Sequence, residues 1–221
     1  MLGLEGILDE LELDPPAAVA FRGAGDRAFV SGGDLKEFAA IRATDEARAM
    51  ATRMRDILDR IAGLRSVTIA ELNGHALGGG AELAIACDLR IGADDVKLGF
   101  SQARLGITPA WGGIERLTDL VGRARAIYLM GTGVAISAEH GARWGLIEDM
   151  IPRRDFDERT HALLADLGSR PATVLTSIKE IVSTVAPAIH PASANDAVDR
   201  FAASWVADTH WAAVAAAAPT R

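Results

Sequence analysis

Apolar residues recur every three or four positions in some stretches of this chain and crowd into short runs in others, and the two patterns alternate. Residues 4 to 13 carry Leu4, Ile7, Leu8 and Leu11 on one helical face, and Pro15-Pro16 stop that helix. Ala17 to Phe21 is a compact apolar run closed by Gly23-Ala24-Gly25-Asp26, which predicts a buried strand ending in a turn. A second strand is expected at Ala28-Phe29-Val30, running into Ser31-Gly32-Gly33-Asp34. From Leu35 to Leu64 the positions of Phe38, Ile41, Met50, Met54, Ile57, Leu58 and Ile61 predict two helices. Val67 to Ala70 is β-branched and strand-like; Asn73-Gly74 ends it ahead of Gly78-Gly79-Gly80. Glu82 to Cys87 is expected helical and Leu89 to Ala93 a strand. Gly106 to Gly113 is a loop that leads into a helix through Leu117, Leu120 and Val121. Beyond Ile151-Pro152 only helical spacing remains, with Leu163, Leu164 and Leu167, then Val174, Ile178, Ile181 and Val182, before an alanine-rich tail. The pattern predicts an α/β core over residues 1–151 and a helical region over 152–221.

Composition narrows the function classes. The 221 residues are 49% hydrophobic and 24% charged, enough for one well-filled core. A formal charge of −7 gives no general attraction to phosphate backbones or anionic lipid, so neither nucleic acid nor membrane is an expected partner. No stretch approaches the roughly 18 apolar residues of a membrane span, and the start lacks the basic and apolar regions of a signal peptide. Cys87 is the single cysteine, which excludes an internal disulfide and fits a reducing cytoplasm as the expected location.

Three successive glycines after a strand leave backbone N–H groups bare to a ligand, and a following helix aims them outward. The same run also serves as a tight turn that needs glycine only for packing. Pyrophosphate binding fits poorly, because neither G-x-G-x-x-G spacing nor a G-x-x-x-x-G-K-[ST] sequence is present. Glu82 falls in the first helical turn, where it either complements the helix N-terminus by about 0.3–1 kcal/mol or acts as acid or base beside a bound oxygen. These residues alone leave both readings standing.

Arg27 to Phe38, taken with Asn73 to Ala84, resembles the enoyl-CoA hydratase/isomerase (crotonase) superfamily. Leu105 to Gly113 with Arg116-Leu117, and Gly131-Thr132-Gly133 through Ser137-Ala138 to Gly145-Leu146-Ile147, are similar to that family's later segments in the same order. The resemblance implies a spiral of strand–strand–helix turns with a C-terminal helical oligomerisation region, assembled as a homotrimer or a dimer of trimers. It implies an acyl-coenzyme A substrate, with coenzyme A present only as part of the thioester, and no metal or permanently bound cofactor. The oxyanion hole maps onto the main-chain N–H groups of Gly33 and Gly79; Gly33 stands where the family often has alanine. Ser31, Gly33, Asp34, Leu35 and Gly79 are the implied substrate-binding positions, with Asp34 expected to fix its own loop.

Glu82 matches the first of the family's two catalytic glutamates. Counting back from Gly106 puts Gln102 in place of the second. An amide neither accepts nor releases a proton near neutral pH, so isomerisation, decarboxylation or thioester hydrolysis becomes a better expectation than efficient hydration. The alternative is a catalytically silent acyl-CoA-binding member. The two strands and the Asn-Arg-Pro-like segment with which family chains usually open are not found ahead of the first helix, so the spiral is expected to be short there. His75 is expected as a packed or supporting histidine, Asp94 and Asp95 as turn residues, and Trp111 as pocket wall or core; His161, His190 and His210 lack metal-ligand spacing.

Overall fold

A computed structural model of the chain describes residues 2–30, 32–33, 38, 40–185 and 191–217. Among these residues, eight short strands divide between two four-stranded sheets. Helix α1 (Leu2–Leu13) leads into β1 (Ala18–Arg22) and β2 (Ala28–Val30), which belong to different sheets. Helix α2 (Thr44–Gly63) follows, then β3 (Val67–Leu72), β4 (His75–Leu77) and the short helix α3 (Gly79–Ala84). Strands β5 (Leu89–Ala93) and β6 (Lys97–Gly99) repeat the step. A 3-10 turn at Ser101–Leu105 comes next, then helix α4 (Gly113–Thr132), which breaks at Gly122. Strand β7 (Ala135–Ser137), helix α5 (Ala138–Arg143) and β8 (Asp149–Ile151) complete the sheets. One sheet runs β1-β3-β5-β8, all parallel; the other runs β2-β4-β6 in parallel, with β7 antiparallel at its edge. Strands β1 to β6 therefore alternate between the sheets as the chain winds, which is the spiral that the resemblance implied.

Hydrophobic pattern accounts for most of these elements. On α2, Ala47, Met50, Ala51, Ile57, Leu58 and Ile61 are buried while Arg53, Asp56 and Asp59 between them face out; Arg55 is buried and pairs with Glu115. Strand β3 lies where its β-branched run predicted it, and β5 spans the expected Leu89 to Ala93. The helix expected at 82–87 instead starts at Gly79 and ends at Ala84. Gly78 takes φ +56°, and this glycine-only turn lets the helix begin immediately behind it. Strands β4, β6, β7 and β8 were not anticipated, because three residues are too few to show a period of two. The first of the two helices expected between 35 and 64 falls mostly outside the described residues.

After β8 every further element among the described residues is helical: a 3-10 turn, α6 (Phe156–Gly168), α7 (Ala172–Val185), α8 (Pro191–Trp205) and α9 (Asp208–Ala217). Helix α8 lies along α2, and α9 packs on the 3-10 turn at Ser101–Leu105. No helix among the described residues is long and apolar enough to cross a membrane.

Candidate active site

Three adjacent parallel strands release their chains at one end of a sheet. Gly32-Gly33 follow β2, Gly78-Gly79 follow β4, and Ser101-Gln102 follow β6. Residues far apart in sequence are thereby brought side by side. The bond from the Gly78 N–H to the Gly99 carbonyl, 2.9 Å long, ties the second segment to the third.

The glycines are needed because aromatic rings lie against them. A Cβ on Gly79 would come within 2.0 Å of the Trp111 ring, and one on Gly33 within 2.2 Å of the Phe38 ring. At Gly32, with φ +93°, a Cβ would stand 3.2 Å from the Gly79 nitrogen. Alanine at position 33, common in the related family, would need Phe38 to move. Phe38 and Trp111 thus wall a cleft whose floor is bare backbone, and Trp111 is pocket wall, with its ring on Gly79.

Glu82 sits one turn into α3 with 2% of its surface exposed. Its Oε1 accepts from the backbone N–H groups of Trp111 and Gly113, each at 3.0 Å. Its Oε2 accepts from Gln102 Nε2 at 2.8 Å. Burial pushes the Glu82 carboxyl up to about 7; the Trp111 and Gly113 N–H groups, Gln102 and the Arg116 charge oppose that rise without cancelling it. Arg116 holds the same loop, donating to the Trp111 carbonyl at 3.2 Å and pairing with Asp59 of α2. A carboxyl poised near neutrality at a cleft is suited to taking up and returning a proton.

Gln102 is brought to Glu82 by the 3-10 turn, which the left-handed Gly106 (φ +69°) closes. Its donor is used on Glu82, while its Oε1 is buried with no hydrogen-bond partner among the described residues; Thr108 Oγ1 is in the same condition.

Two chambers meet at the glycines. The smaller, of about 120 Å³, contains Glu82, Gln102 and Ser101. The larger, of about 370 Å³, reaches towards Leu4 of α1 and Phe21 and Arg22 of β1. Gly32, Gly33, Phe38, Gly79 and Trp111 line both.

Of the expected positions, Glu82, Gly33, Gly79 and Gln102 converge here, whereas Ser31, Asp34 and Leu35 lie outside the described residues. His75 is exposed and accepts from the Lys97 N–H at 3.2 Å, away from this cluster. Asp94 and Asp95 are turn residues engaged by Arg153. No group of metal-ligating side chains occurs among the described residues. Sequence reasoning missed Phe201 and Trp205, which line the small chamber from α8. An i, i+4 aromatic pair in an alanine-rich helix was the available signal that something lay beneath it. Helix α8, in the region expected to pack between subunits, thus covers this chain's own cavity.

Comparison with known proteins places these features in context. The family model described as Enoyl-CoA hydratase/isomerase matches residues 4–202. A protein of Bacillus subtilis (strain 168) named "Probable enoyl-CoA hydratase" is 35% identical over 181 residues, covering 81% of this chain and 70% of its own length. A Danio rerio protein named "Ethylmalonyl-CoA decarboxylase" is 33% identical over 187 residues, covering 82% of this chain and 62% of its own. The chain therefore spans about two thirds of the length of these curated relatives. Among solved structures, an enoyl-CoA hydratase from Bacillus anthracis superposes with a TM-score of 0.79 at 34% identity, covering 82% of this chain and 70% of the other.

Proposed function

The chain belongs to the enoyl-CoA hydratase/isomerase family, and we propose that it processes acyl-coenzyme A thioesters through an enolate, with Glu82 as the acid/base. In this reading the thioester oxygen lies between the N–H groups of Gly33 and Gly79, two glycines that line both chambers. Such donors act on charge that develops only in the transition state; loss of one typically costs about 10²–10³ in rate. Ser31, Asp34 and Leu35 remain the substrate-binding positions that the family resemblance implies, and coenzyme A enters only with its acyl group.

The observation that carries the reading is Glu82, a buried carboxyl with a value near 7 whose neighbour is an amide. One group that exchanges a proton suits reactions that need one. In isomerisation Glu82 takes a proton from one carbon and returns it to another. In decarboxylation the departing carbon dioxide leaves its electron pair as the enolate, and protonated Glu82 delivers its proton to the α-carbon. Thioester hydrolysis needs it only to activate water. Hydration asks one group both to activate water and to protonate carbon, so we propose that it is slow. Relatives named for hydration and for decarboxylation have nearly equal identity to this chain, 35% and 33%, so the amide at Gln102 weighs more than either name.

We also propose a homotrimer or a dimer of trimers formed in part by the helical region 152–221, on the ground that Val174, Ile178, Ile181 and Val182 of α7 are at least half exposed along one side. A second reading, a silent acyl-CoA-binding member, draws on the same Gln102.

The test is a panel of enoyl, β,γ-enoyl, alkylmalonyl and saturated thioesters incubated with the protein and followed by mass spectrometry. Conversion of an isomerisable, decarboxylatable or hydrolysable member, lost in Glu82→Gln, is expected. Binding without conversion of any member would favour the silent reading, and rapid hydration would overturn the role given to Gln102.

A further inference from the structure

We propose that the chamber at Glu82 admits only short acyl groups, of about four to five carbons, because Phe201 and Trp205 close its far end; the inference rests on the acyl-thioester reading above. The two chambers differ in walls as well as in size. The larger is bounded by α1, β1 and α2 and receives nothing from α8. The smaller holds the proton-transfer group, so the acyl carbons must enter it, and α8 ends it. An engineered apolar cavity of about 150 Å³ takes one benzene, six carbons. By that measure the 120 Å³ here accommodates an acyl chain of butyryl size and not of octanoyl size.

The closure is held from several sides. Phe201 and Trp205 retain only 3% and 2% of their exposure, and their rings lie 5.3 Å apart. Trp205 donates its indole N–H to the Ile41 carbonyl at 3.2 Å and meets Phe38 edge-on at 6.2 Å. Behind it the His210 ring stands 4.7 Å away, and His210 Nδ1 is 2.5 Å from the Leu105 carbonyl, on the 3-10 turn that carries Gln102. The plug is therefore anchored both to the segment before α2 and to the opposite wall of the chamber. A longer chain would have to displace aromatic side chains from a close-packed setting, which interiors resist.

The experiment is calorimetric binding of acetyl-, butyryl-, hexanoyl-, octanoyl- and decanoyl-CoA to the whole protein, with free coenzyme A as the baseline. Butyryl-CoA is expected to bind at least tenfold more tightly than decanoyl-CoA. Phe201→Ala should shift the preferred length upwards, and Phe201→Leu should do so less, with folding of each verified by circular dichroism. Decanoyl-CoA binding as tightly as butyryl-CoA to the unaltered protein would overturn the size limit while leaving the thioester reading intact. A folded Phe201→Ala with an unchanged length profile would overturn the assignment of the plug. Binding of none of these thioesters above the baseline would sink both proposals together.

Discussion

Replacing Glu82 by glutamine should make the protein more stable and less active, and the gain should depend on pH. The carboxamide has nearly the shape of the carboxyl. Its oxygen keeps the two backbone bonds from Trp111 and Gly113, and its NH₂ meets Gln102, which needs only to turn its amide to offer the Oε1 that has no partner. What disappears is a charge held in a desolvated place. The rise from an ordinary 4.5 to about 7 amounts to about 3 kcal/mol at 1.36 kcal/mol per unit. The folded state holds the proton more tightly than the unfolded chain, so this group costs nothing below pH 4.5. Stability is lost as the pH rises from there to about 7, and the loss is constant above it. The variant lacks that dependence. Its advantage should therefore be small at pH 4 and grow to about 3 kcal/mol at pH 8, or about 6–12 °C in melting temperature for a chain of this size. Thermal and urea unfolding of both proteins across that range would measure it. Turnover should fall by about 10²–10⁴ in the same variant. A glutamate that only complements the start of α3 would instead make the variant less stable, by about 0.3–1 kcal/mol, once the carboxyl is ionised. That outcome, or parallel pH profiles of the two proteins, would refute the reasoning.

Gln102→Glu would put a second carboxyl within hydrogen-bond reach of the first; the pair should share a proton, and hydration of a short enoyl-CoA, followed by loss of its ultraviolet band, should rise at least tenfold if the chamber is complete. Arg116→Met removes a charge that favours the ionised form of Glu82 and frees the loop that donates to it, so the midpoint of the pH–rate profile should move upwards; an unmoved midpoint would count against Arg116 as a positioning residue. Ile178→Glu combined with Ile181→Glu alters side chains more than half exposed on α7, and light scattering should then report the mass of one chain where the unaltered protein gives an oligomer; a unaltered protein that is itself monomeric would remove the assembly proposal.

Local features of this site were legible in sequence, and features joining distant segments were not. Gly78-Gly79-Gly80 could be read as bare backbone because glycine has the same meaning wherever a turn must form. Counting back from Gly106 led to Gln102, whose side chain bonds to Glu82; Gly106 is the left-handed cap of the turn on which Gln102 rides, so the spacing between them is rigid. Phe201 and Trp205 gave a weaker signal: helical periodicity says which face is apolar, not what it will meet, and the Trp205 partners Phe38 and Ile41 lie more than 100 residues earlier. Arg116 was visible only as part of a motif. Its hold on the Trp111 carbonyl depends on Asp59 of α2, a contact that no spacing rule carries.

The placing of the two glycine segments on neighbouring strands, β2 and β4, has a consequence for shape recognition. Hydrogen-bonded strands lie about 4.8 Å apart, and an N–H donor reaches an oxygen at about 2.9 Å, so two donors separated by one strand spacing subtend about 110° at an atom held between them. A carbonyl oxygen directs its two lone pairs at close to that angle. In the proposed oxyanion hole, sheet spacing, a property of every backbone, would supply the bite of the clamp, and the side chains would decide only what is attached to the oxygen.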